Sequence, residues 1–372
     1  MPDLAEALRA SMAMLHEAVR FDSAALLVVD PTTLLPIAGL VEGISADACQ
    51  GFWAAEFAET GLNKFVDLAR ADVPVRTLIE AARSHARQQG GRSCPDLPPD
   101  VTAITEASEA GADESADRLA RRYLDIFRPA LFVDELRVAF RTGEHCRAFV
   151  HILRDRPFEP AELARVHALV RPVAGMLQQA VSRGAEAGVG SGIAIVDSAG
   201  RLVHATTDAR GLLADIRRSS PFEAEGDERV PGMLGGLVAR ARAAASGEAV
   251  ITRMRSASGA WFRISAARTE GDDLVALSIE PARASDLIPV AMASFGLTAR
   301  EAHIAQRLSR GLADKEIAAE LGLSLHTVRD HVKAIITKCG VNSRAEVVAR
   351  IFVDYVQSAL ERQMIYGQDR AS

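Results

Sequence analysis

The feature that most constrains the fold is a series of helix start and stop signals near the C-terminus. Thr298 and Glu301 have the three-residue spacing at which each side chain can cap the backbone of the other, and Gly311 is placed to end the helix they begin. Gly322 can end a second short helix, and Ser324 can cap a third directly after it. These start and stop signals predict short helices joined by tight turns.

The third of these helices has two unlike faces. Its apolar residues are spaced four, three and four apart, as along one side of an α-helix: Val328, Val332, Ile335 and Cys339. The opposite side carries hydrogen-bonding groups: His326, Arg329, Asp330, Lys333 and Thr337. A fourth helix begins where Ser343 and Glu346 repeat the capping spacing. Two short helices joined by a glycine turn, the second with a polar face, have the geometry that places a helix in the major groove of DNA.

The side chains of this face match the chemistry of base edges. Arg329 can donate to guanine, Asp330 can accept from the amino group of cytosine, and Lys333 can reach a guanine edge or a phosphate. Residues 297–352 hold nine Lys and Arg against six Asp and Glu, although the whole chain has a net charge of -6. The basic balance is therefore local, as phosphate attraction requires.

The sequence of this segment resembles the LuxR/NarL-type helix-turn-helix domain over about 60 residues, in "LTARE" and "GLADKEIAAELGLSLHTVRDHVKAIITKCGVNSRAEVVAR". The resemblance implies an all-α four-helix DNA-binding domain at 290–360. The resemblance also implies three roles. Contacts with DNA phosphates or backbone would be made by Lys315, Thr327, Lys338 and Arg344. Bases would be contacted by Arg329, Asp330 and Lys333, and two domains would pair through Val347, Val348 and Ile351. Relatives often have an apolar or basic residue where Asp330 stands, so a salt bridge from Asp330 to Arg329 or Lys333 is the alternative to base contact.

The preceding residues read as two α+β units, 1–185 and 187–283, divided by a glycine-rich joint. In the first, "AALLVVD" has strand composition, "ALFVDELRVAF" and "EHCRAFVHILR" predict a hairpin that turns at Arg141 to Gly143, and "LNKFVDLARADVPVRTLIEAARSHA" reads as helix. The segment at about 88–117, rich in Gly, Pro, Ser and acids, predicts a mobile insertion. The second unit predicts a small antiparallel sheet with helices on one side.

"FDSAALLVVDPTTLLP", "DELRVAF" and "PFEPAEL" resemble GAF-like sensor units, and "GIAIVDSAGRLVHATTDARGLL" with "SGAWFRISAA" is similar to PAS-like segments. Such sensors stand before LuxR-type domains in bacterial regulators, and the likeness implies a cavity for a small-molecule effector between sheet and helices. Trp53, Phe57 and Trp261 are candidates to line it. Because "ATT" replaces the usual Asn-containing turn of PAS units, no cofactor follows.

Other classes of function find less support in the sequence. Cys49, Cys94, Cys146 and Cys339 form no CxxC pair, and no metal-ligand spacing or catalytic motif appears in a fitting context, so we expect neither a metal site nor an enzyme. No apolar run reaches the roughly 18 residues of a membrane span, which indicates a cytoplasmic protein. Asp30 stands alone after its strand, whereas a phosphorylated receiver needs an acidic set.

We therefore expect a sequence-specific transcriptional regulator that binds double-stranded DNA as a homodimer. Its partners would include RNA polymerase, and a small-molecule or protein signal would act through the front units. The alternatives are control by phosphorylation, as in response regulators, and a sensor or enzyme that does not bind DNA. The sequence does not identify the effector, the target promoters or the direction of regulation.

Overall fold

The computed structural model describes most of the chain, with gaps concentrated in the first unit. The described residues are 3–44, 52, 56–57, 63–81, 84, 132–181, 186–187, 190–218, 228–245, 247–256 and 259–352. The predicted insertion at 88–117 and Trp53 lie outside these residues.

The first unit contains a five-stranded antiparallel sheet with the strand order β2-β1-β5-β4-β3. Its strands are β1 (Ser23–Val29), β2 (Pro36–Glu42), β3 (Val75–Thr77), β4 (Asp134–Thr142) and β5 (His145–Arg154). The β4–β5 hairpin is confirmed, and its turn is centred on Gly143, whose φ of 59° suits glycine. β5 lies at the centre of the sheet, between β1 and β4.

Each face of this sheet is covered differently. Helices α1 (Leu4–Ala18) and α3 (Pro160–Val181) pack on one face and bury an apolar cluster that includes Leu26, Val138 and Val150. The opposite face carries a smaller cluster, with Phe65 of the one-turn helix α2 (Phe65–Leu68) and Phe149 of β5 among its members. Alternation along the strands produces both clusters, because successive side chains point to opposite faces.

The expectation of one helix in "LNKFVDLARADVPVRTLIEAARSHA" is wrong in its middle part. The chain forms only the single turn α2 and then enters β3, which pairs with β4. Pro74 separates the two elements: a proline disfavours helical backbone in the residue before it and has no N–H to give to a helix. Its carbonyl instead accepts from the N–H of Ala139 at 2.8 Å.

The second unit has a six-stranded sheet in which β10 is flanked by β11, β9 and the short β6. Its strands are β6 (Glu186–Ala187), β7 (Gly192–Val196), β8 (Leu202–Ala205), β9 (Val250–Arg255), β10 (Ala260–Arg268) and β11 (Val275–Pro281). Helices α4 (Thr207–Arg218) and α5 (Gly235–Ala243), with a 3-10 turn at Gly232–Leu234, cover its apolar face. The predicted order of two strands, two helices and three strands is confirmed for β7 to β11. Strand β6 lies in the predicted glycine-rich joint and, among the described strands, is the one that pairs in parallel.

The C-terminal unit is entirely helical over its described residues. It contains α6 (Ala284–Ser294), α7 (Ala299–Ser309), α8 (Asp314–Leu321), α9 (Leu325–Cys339) and α10 (Arg344–Phe352). Helices α7 to α10 enclose one apolar cluster, to which α6 adds Met292. Helix α6 also buries Leu287 and Val290 in the core of the first unit, so it connects the two cores.

Several polar contacts join the units. The buried carboxylate of Asp30, at the end of β1, lies 2.9 Å from Arg253 of β9 and accepts from the N–H of Thr32 at 2.8 Å. Arg240 of α5 donates to the carbonyl of Thr33 at 2.9 Å. Asp30 therefore serves as a structural ion-pair partner between the first two units. Its carboxylate is buried, whereas an aspartate that accepts a phosphate must be exposed.

Candidate nucleic-acid interface

The boundaries of α7 follow the predicted capping signals. The N–H of Glu301 donates to Thr298 Oγ1 at 3.2 Å, and the N–H of Thr298 donates to Glu301 Oε2 at 2.7 Å. The helix ends at Ser309, and Gly311 follows with a φ of 85°. Both reciprocal hydrogen bonds of the capping box are present, so two N–H groups that the helix would leave without partners are satisfied.

The turn between α8 and α9 fixes the angle at which α9 leaves the domain. Gly322 is left-handed, with φ 63° and ψ 36°, and the N–H of Leu323 returns to the carbonyl of Ala318 at 2.9 Å. Ser324 then caps α9 by accepting from the N–H of Thr327 at 3.0 Å. Glycine reaches this conformation without a Cβ clash, so two helix ends fit into three residues.

The apolar seam of α9 holds this helix to the others. Val328, Val332, Ile335 and Cys339 are all buried, as their spacing predicts. Burial raises the pKa of the Cys339 thiol to about 11, so this cysteine is a small core residue with little thiolate. Because the seam faces inward, the opposite side of α9 is turned to solvent.

The predicted base-contacting residues all lie on this solvent-facing side. The side chains of Arg329 and Asp330 are 63% and 56% exposed, and Lys333 is exposed one turn further along. Arg329 Nε is 3.9 Å from Asp314 Oδ2, a distance that leaves the guanidinium largely available. The structure thus brings these three side chains together on one accessible face, and their contacts with bases remain predictions.

The carboxylate of Asp330 is oriented toward neither expected salt-bridge partner. In the described part of the chain it lies 3.6 Å, from Oδ2 to Nε2, from the imidazole of His326 across one helical turn. Both side chains are well exposed, so this contact adds little stability. Arg329, for its part, is closer to Asp314 of α8.

Of the four residues predicted to contact the DNA backbone, Lys315 is exposed near the start of α8, and Thr327 is half-buried near the start of α9, where its Oγ1 lies 2.8 Å from Ser324 Oγ. The other two are engaged in contacts between helices. Lys338 Nζ donates to Glu301 Oε2 at 2.6 Å, which ties the end of α9 to the start of α7. Burial alone would raise the pKa of the Glu301 carboxyl, but the hydrogen bonds from Lys338 and from the Thr298 N–H bring it below its usual value. Lys338 is thus a structural residue as well as a predicted phosphate contact.

Arg344 has a similar structural role at the start of α10. Its Nη1 donates to Asp314 Oδ1 at 2.9 Å, and its Nη2 donates to the carbonyl of Leu312. These contacts fasten α10 to the beginning of α8, so Arg344 positions one helix against another. Any contact with a phosphate would use the partly exposed remainder of its guanidinium.

The expectation that Val347 and Ile351 contact a second domain needs correction. Both side chains are buried in the core of their own unit, against the seam of α9, and cannot reach a partner while the unit is folded. Helical periodicity does not distinguish a core-facing stripe from an interface stripe, because both are apolar. Val348 is partly buried and packs at the edge of the same core.

Sequence reasoning missed one residue of the exposed face. Leu325, the first residue of α9, is 38% exposed, although its spacing from Val328 would also fit the buried seam. It lies four residues before Arg329 and eight before Lys333, so the three form one row along the helix. An apolar side chain therefore heads the row of charged ones.

The structure places two of the three residues predicted to line a ligand pocket in different apolar clusters. Trp261 is buried in the core shared by the first sheet and α6, whereas Phe57 packs between the other face of that sheet and the second unit. Phe57 also lies against Gly236, where a Cβ would come within 2.9 Å of its ring. The two aromatic side chains belong to different cores, and Trp53 is outside the described residues.

The described residues contain no group of three or more His, Cys, Asp or Glu side chains that could hold a metal ion. None of their helices combines the length and the apolar composition needed to cross a membrane.

Comparison with known proteins concerns mainly the C-terminal unit. The transcriptional regulatory protein UhpA of Escherichia coli (strain K12) is 48% identical over 56 residues, which are 15% of this chain and 29% of UhpA. The probable transcriptional regulatory protein SgaR of Hyphomicrobium methylovorum is 43% identical over 53 residues, 14% of this chain and 25% of SgaR. The chain therefore spans less than a third of the curated relatives it matches.

Two solved structures are similar over larger shares of the chain. The Vibrio cholera VqmA–ligand–DNA complex is 15% identical and covers 46% of this chain and 84% of its own, with a TM-score of 0.20. The phage VqmA–DPO complex is 19% identical and covers 44% and 83%, with a TM-score of 0.19. Scores this low support no argument about this chain. The family model "Bacterial regulatory proteins, luxR family" matches residues 296–351, so this segment is a LuxR-type helix-turn-helix domain.

Proposed function

We propose that this protein is a sequence-specific DNA-binding transcriptional regulator. The observation that carries the proposal is the exposed row of Arg329, Asp330 and Lys333 on α9, at the second helix of a LuxR-type helix-turn-helix. Recognition helices of this kind enter the major groove with their N-terminal residues at the base edges. Two copies would read an imperfect palindrome with half-sites about one helical turn, roughly 34 Å, apart.

Electrostatics supports the same orientation toward DNA. Residues 297–352 are net basic, while the rest of the chain is acidic, so phosphates attract the C-terminal unit and repel the others. With a DNA-binding role we also propose a cytoplasmic location and RNA polymerase as a further partner. We assign the chain no enzymatic activity.

We further propose that the two front units, GAF-like and PAS-like in order, receive the signal. Strand β5 supports this route, because His145 contacts the carbonyl of Leu297 and Arg147 donates to the carbonyl of Ala293. Both carbonyls lie where α6 leads into α7, at the entrance to the DNA-binding domain. A displacement of β5 would therefore change how that domain is presented, by favouring one of two arrangements.

Selection of binding sites from a random duplex library tests the proposal. The full chain should enrich an imperfect palindrome, and Arg329→Ala should relax the preference at one base pair in each half-site. Arg268→Ala, which removes an exposed arginine from the end of β10, is the charge-matched control and should select the same site as the native chain. Failure to bind or enrich any duplex at low salt would refute the proposed function.

A further inference from the structure

A cluster of charged and polar side chains lies inside the first unit, on the sheet face opposite α1 and α3. The guanidinium of Arg137, on β4, is fully buried. Its Nε donates to Glu135 Oε1 at 2.8 Å, and its Nη1 donates to Glu56 Oε2 and to the carbonyl of Asn63, each at 2.6 Å. On the neighbouring strand β5, His151 Nε2 lies 2.6 Å from Glu135 Oε1. Five polar residues thus meet where an ordinary core would be apolar.

This cluster contains polar atoms that no described residue satisfies. Arg137 Nη2 and both amide atoms of Asn63 are enclosed and have no hydrogen-bond partner in the described part of the chain. Asn63 also holds a φ of 56°, which is uncommon for residues other than glycine. Buried polar atoms are nearly always paired, and exceptions together with backbone strain concentrate at functional sites. Two donors and one acceptor are therefore left for a bound group.

Charge and shape restrict what that group can be. Arg137 is paired with the carboxylates of Glu56 and Glu135, and Lys64 Nζ donates to the backbone carbonyl of Glu56 at 2.7 Å. Among these described residues two cations are balanced by two carboxylates, so an added anion would be buried without a counter-charge of its own. The Phe65 ring lies 4.6 Å from Arg137 Cζ. An uncharged molecule with a flat apolar part fits this setting better than an ion.

A cavity adjoins the cluster at Asn63 and Lys64. Its volume is about 540 Å³, and its other lining residues include Asp67, Leu68 and Arg76. Pockets for small molecules commonly measure about 300 to 1,000 Å³. The cavity is thus large enough for a single-ring metabolite, and Asn63 belongs both to its wall and to the cluster.

We propose that this cluster and cavity bind a small uncharged molecule with an amide-like edge. Its carbonyl would accept from Asn63 Nδ2, and its N–H would donate to Asn63 Oδ1. The proposal rests on the proposed function, since this molecule would be the signal. Strand β5 carries His151 here and, beyond an irregularity in its pairing at Arg147, the contacts of His145 and Arg147 with the entrance of the DNA-binding domain, so one strand connects the two sites.

Saturation-transfer NMR on the full chain tests this assignment with matched one-ring probes. Benzamide has the complete amide edge, acetophenone keeps only the acceptor, and benzoate replaces the edge with a charge. We expect millimolar binding of benzamide, weaker binding of acetophenone, and binding of benzoate at least tenfold weaker than that of benzamide. Equal transfer to all three probes, or none to benzamide, would overturn the proposal.

Variants of Asn63 separate the site from the rest of the protein. Asn63→Gly removes the amide and keeps the positive φ without strain, and it should abolish benzamide binding. Asn63→Asp keeps the side-chain shape and removes the donors, and it should weaken benzamide binding at least tenfold. Both variants should bind the selected duplex as the native chain does without a probe. Unchanged benzamide binding in either variant would refute the site. If the native chain itself fails to bind any duplex, the proposed function is refuted instead.

Discussion

Replacing Lys338 with alanine should destabilise the packing of α9 on α7. The ammonium of Lys338 is 2.6 Å from a Glu301 oxygen, and that carboxylate is nearly buried while it also caps α7. Removing the lysine leaves Glu301 with its Thr298 hydrogen bonds only. The first helix of the domain would then be held less firmly to the helix that presents Arg329.

The magnitude follows from the exposure of the two groups. A hydrogen bond to a charged group contributes about 1.5 to 3 kcal/mol when buried, and an exposed ion pair contributes about 0 to 1 kcal/mol. The Lys338 side chain is 36% exposed and that of Glu301 7%, so the pair lies between these limits. We expect a loss of about 1 kcal/mol, which lowers the melting temperature of a domain of this size by roughly 4 to 8 °C.

The dependence on pH identifies the cause. The pKa of Glu301 is lowered in the folded chain, so its ion pair stabilises the fold above the unfolded pKa of about 4.3 and is lost as pH falls through the folded value. Thermal unfolding followed by circular dichroism should show a deficit for Lys338→Ala at pH 7 that shrinks toward pH 3. Lys333→Ala, which removes an exposed lysine from the same helix, should show no such deficit. Equal stability of Lys338→Ala and the native chain at pH 7, or a deficit independent of pH, would refute the reasoning.

Three further predictions concern the turn and the two ends of the domain. Gly322→Ala should destabilise the domain by about 1 kcal/mol in a denaturant titration, because alanine is strained at a φ of 63°, and no loss would contradict the helix-end geometry. If Leu325 packs on a thymine methyl group, replacing that thymine with deoxyuridine should weaken binding about fourfold for the native chain and not for Leu325→Ala, as fluorescence anisotropy can measure. Arg344→Ala should raise the hydrogen exchange of α10 amides by freeing its start from Asp314, and unchanged exchange would show that the ion pair does not anchor the helix.

Local signals in the sequence were sufficient for the DNA-binding domain. The ends of α7, α8 and α9 follow from Thr298, Gly322 and Ser324, because caps and left-handed glycines act over three or four residues. The buried seam of α9 follows from helical periodicity. These features depend on neighbours along the chain, and the sequence lists those neighbours directly.

Features that depend on contacts between distant residues could not be predicted. The pairing of Lys338 with Glu301 joins residues 37 positions apart, and that of Arg137 with Glu56 joins residues 81 positions apart. The burial of Val347 likewise depends on how α10 packs against other helices. In each case the side chain is compatible with a surface role, and only the tertiary fold assigns it to the interior.

The most direct test of the central claim is the affinity of the native chain and of Arg329→Ala for the selected duplex and for each of its single-base-pair variants. Direct base contact predicts that the substitution costs about 1 to 3 kcal/mol on the selected site and removes discrimination at one base pair, with other positions unaffected. An equal loss on every duplex, or no loss on any, would contradict the claim that the exposed face of α9 reads DNA sequence.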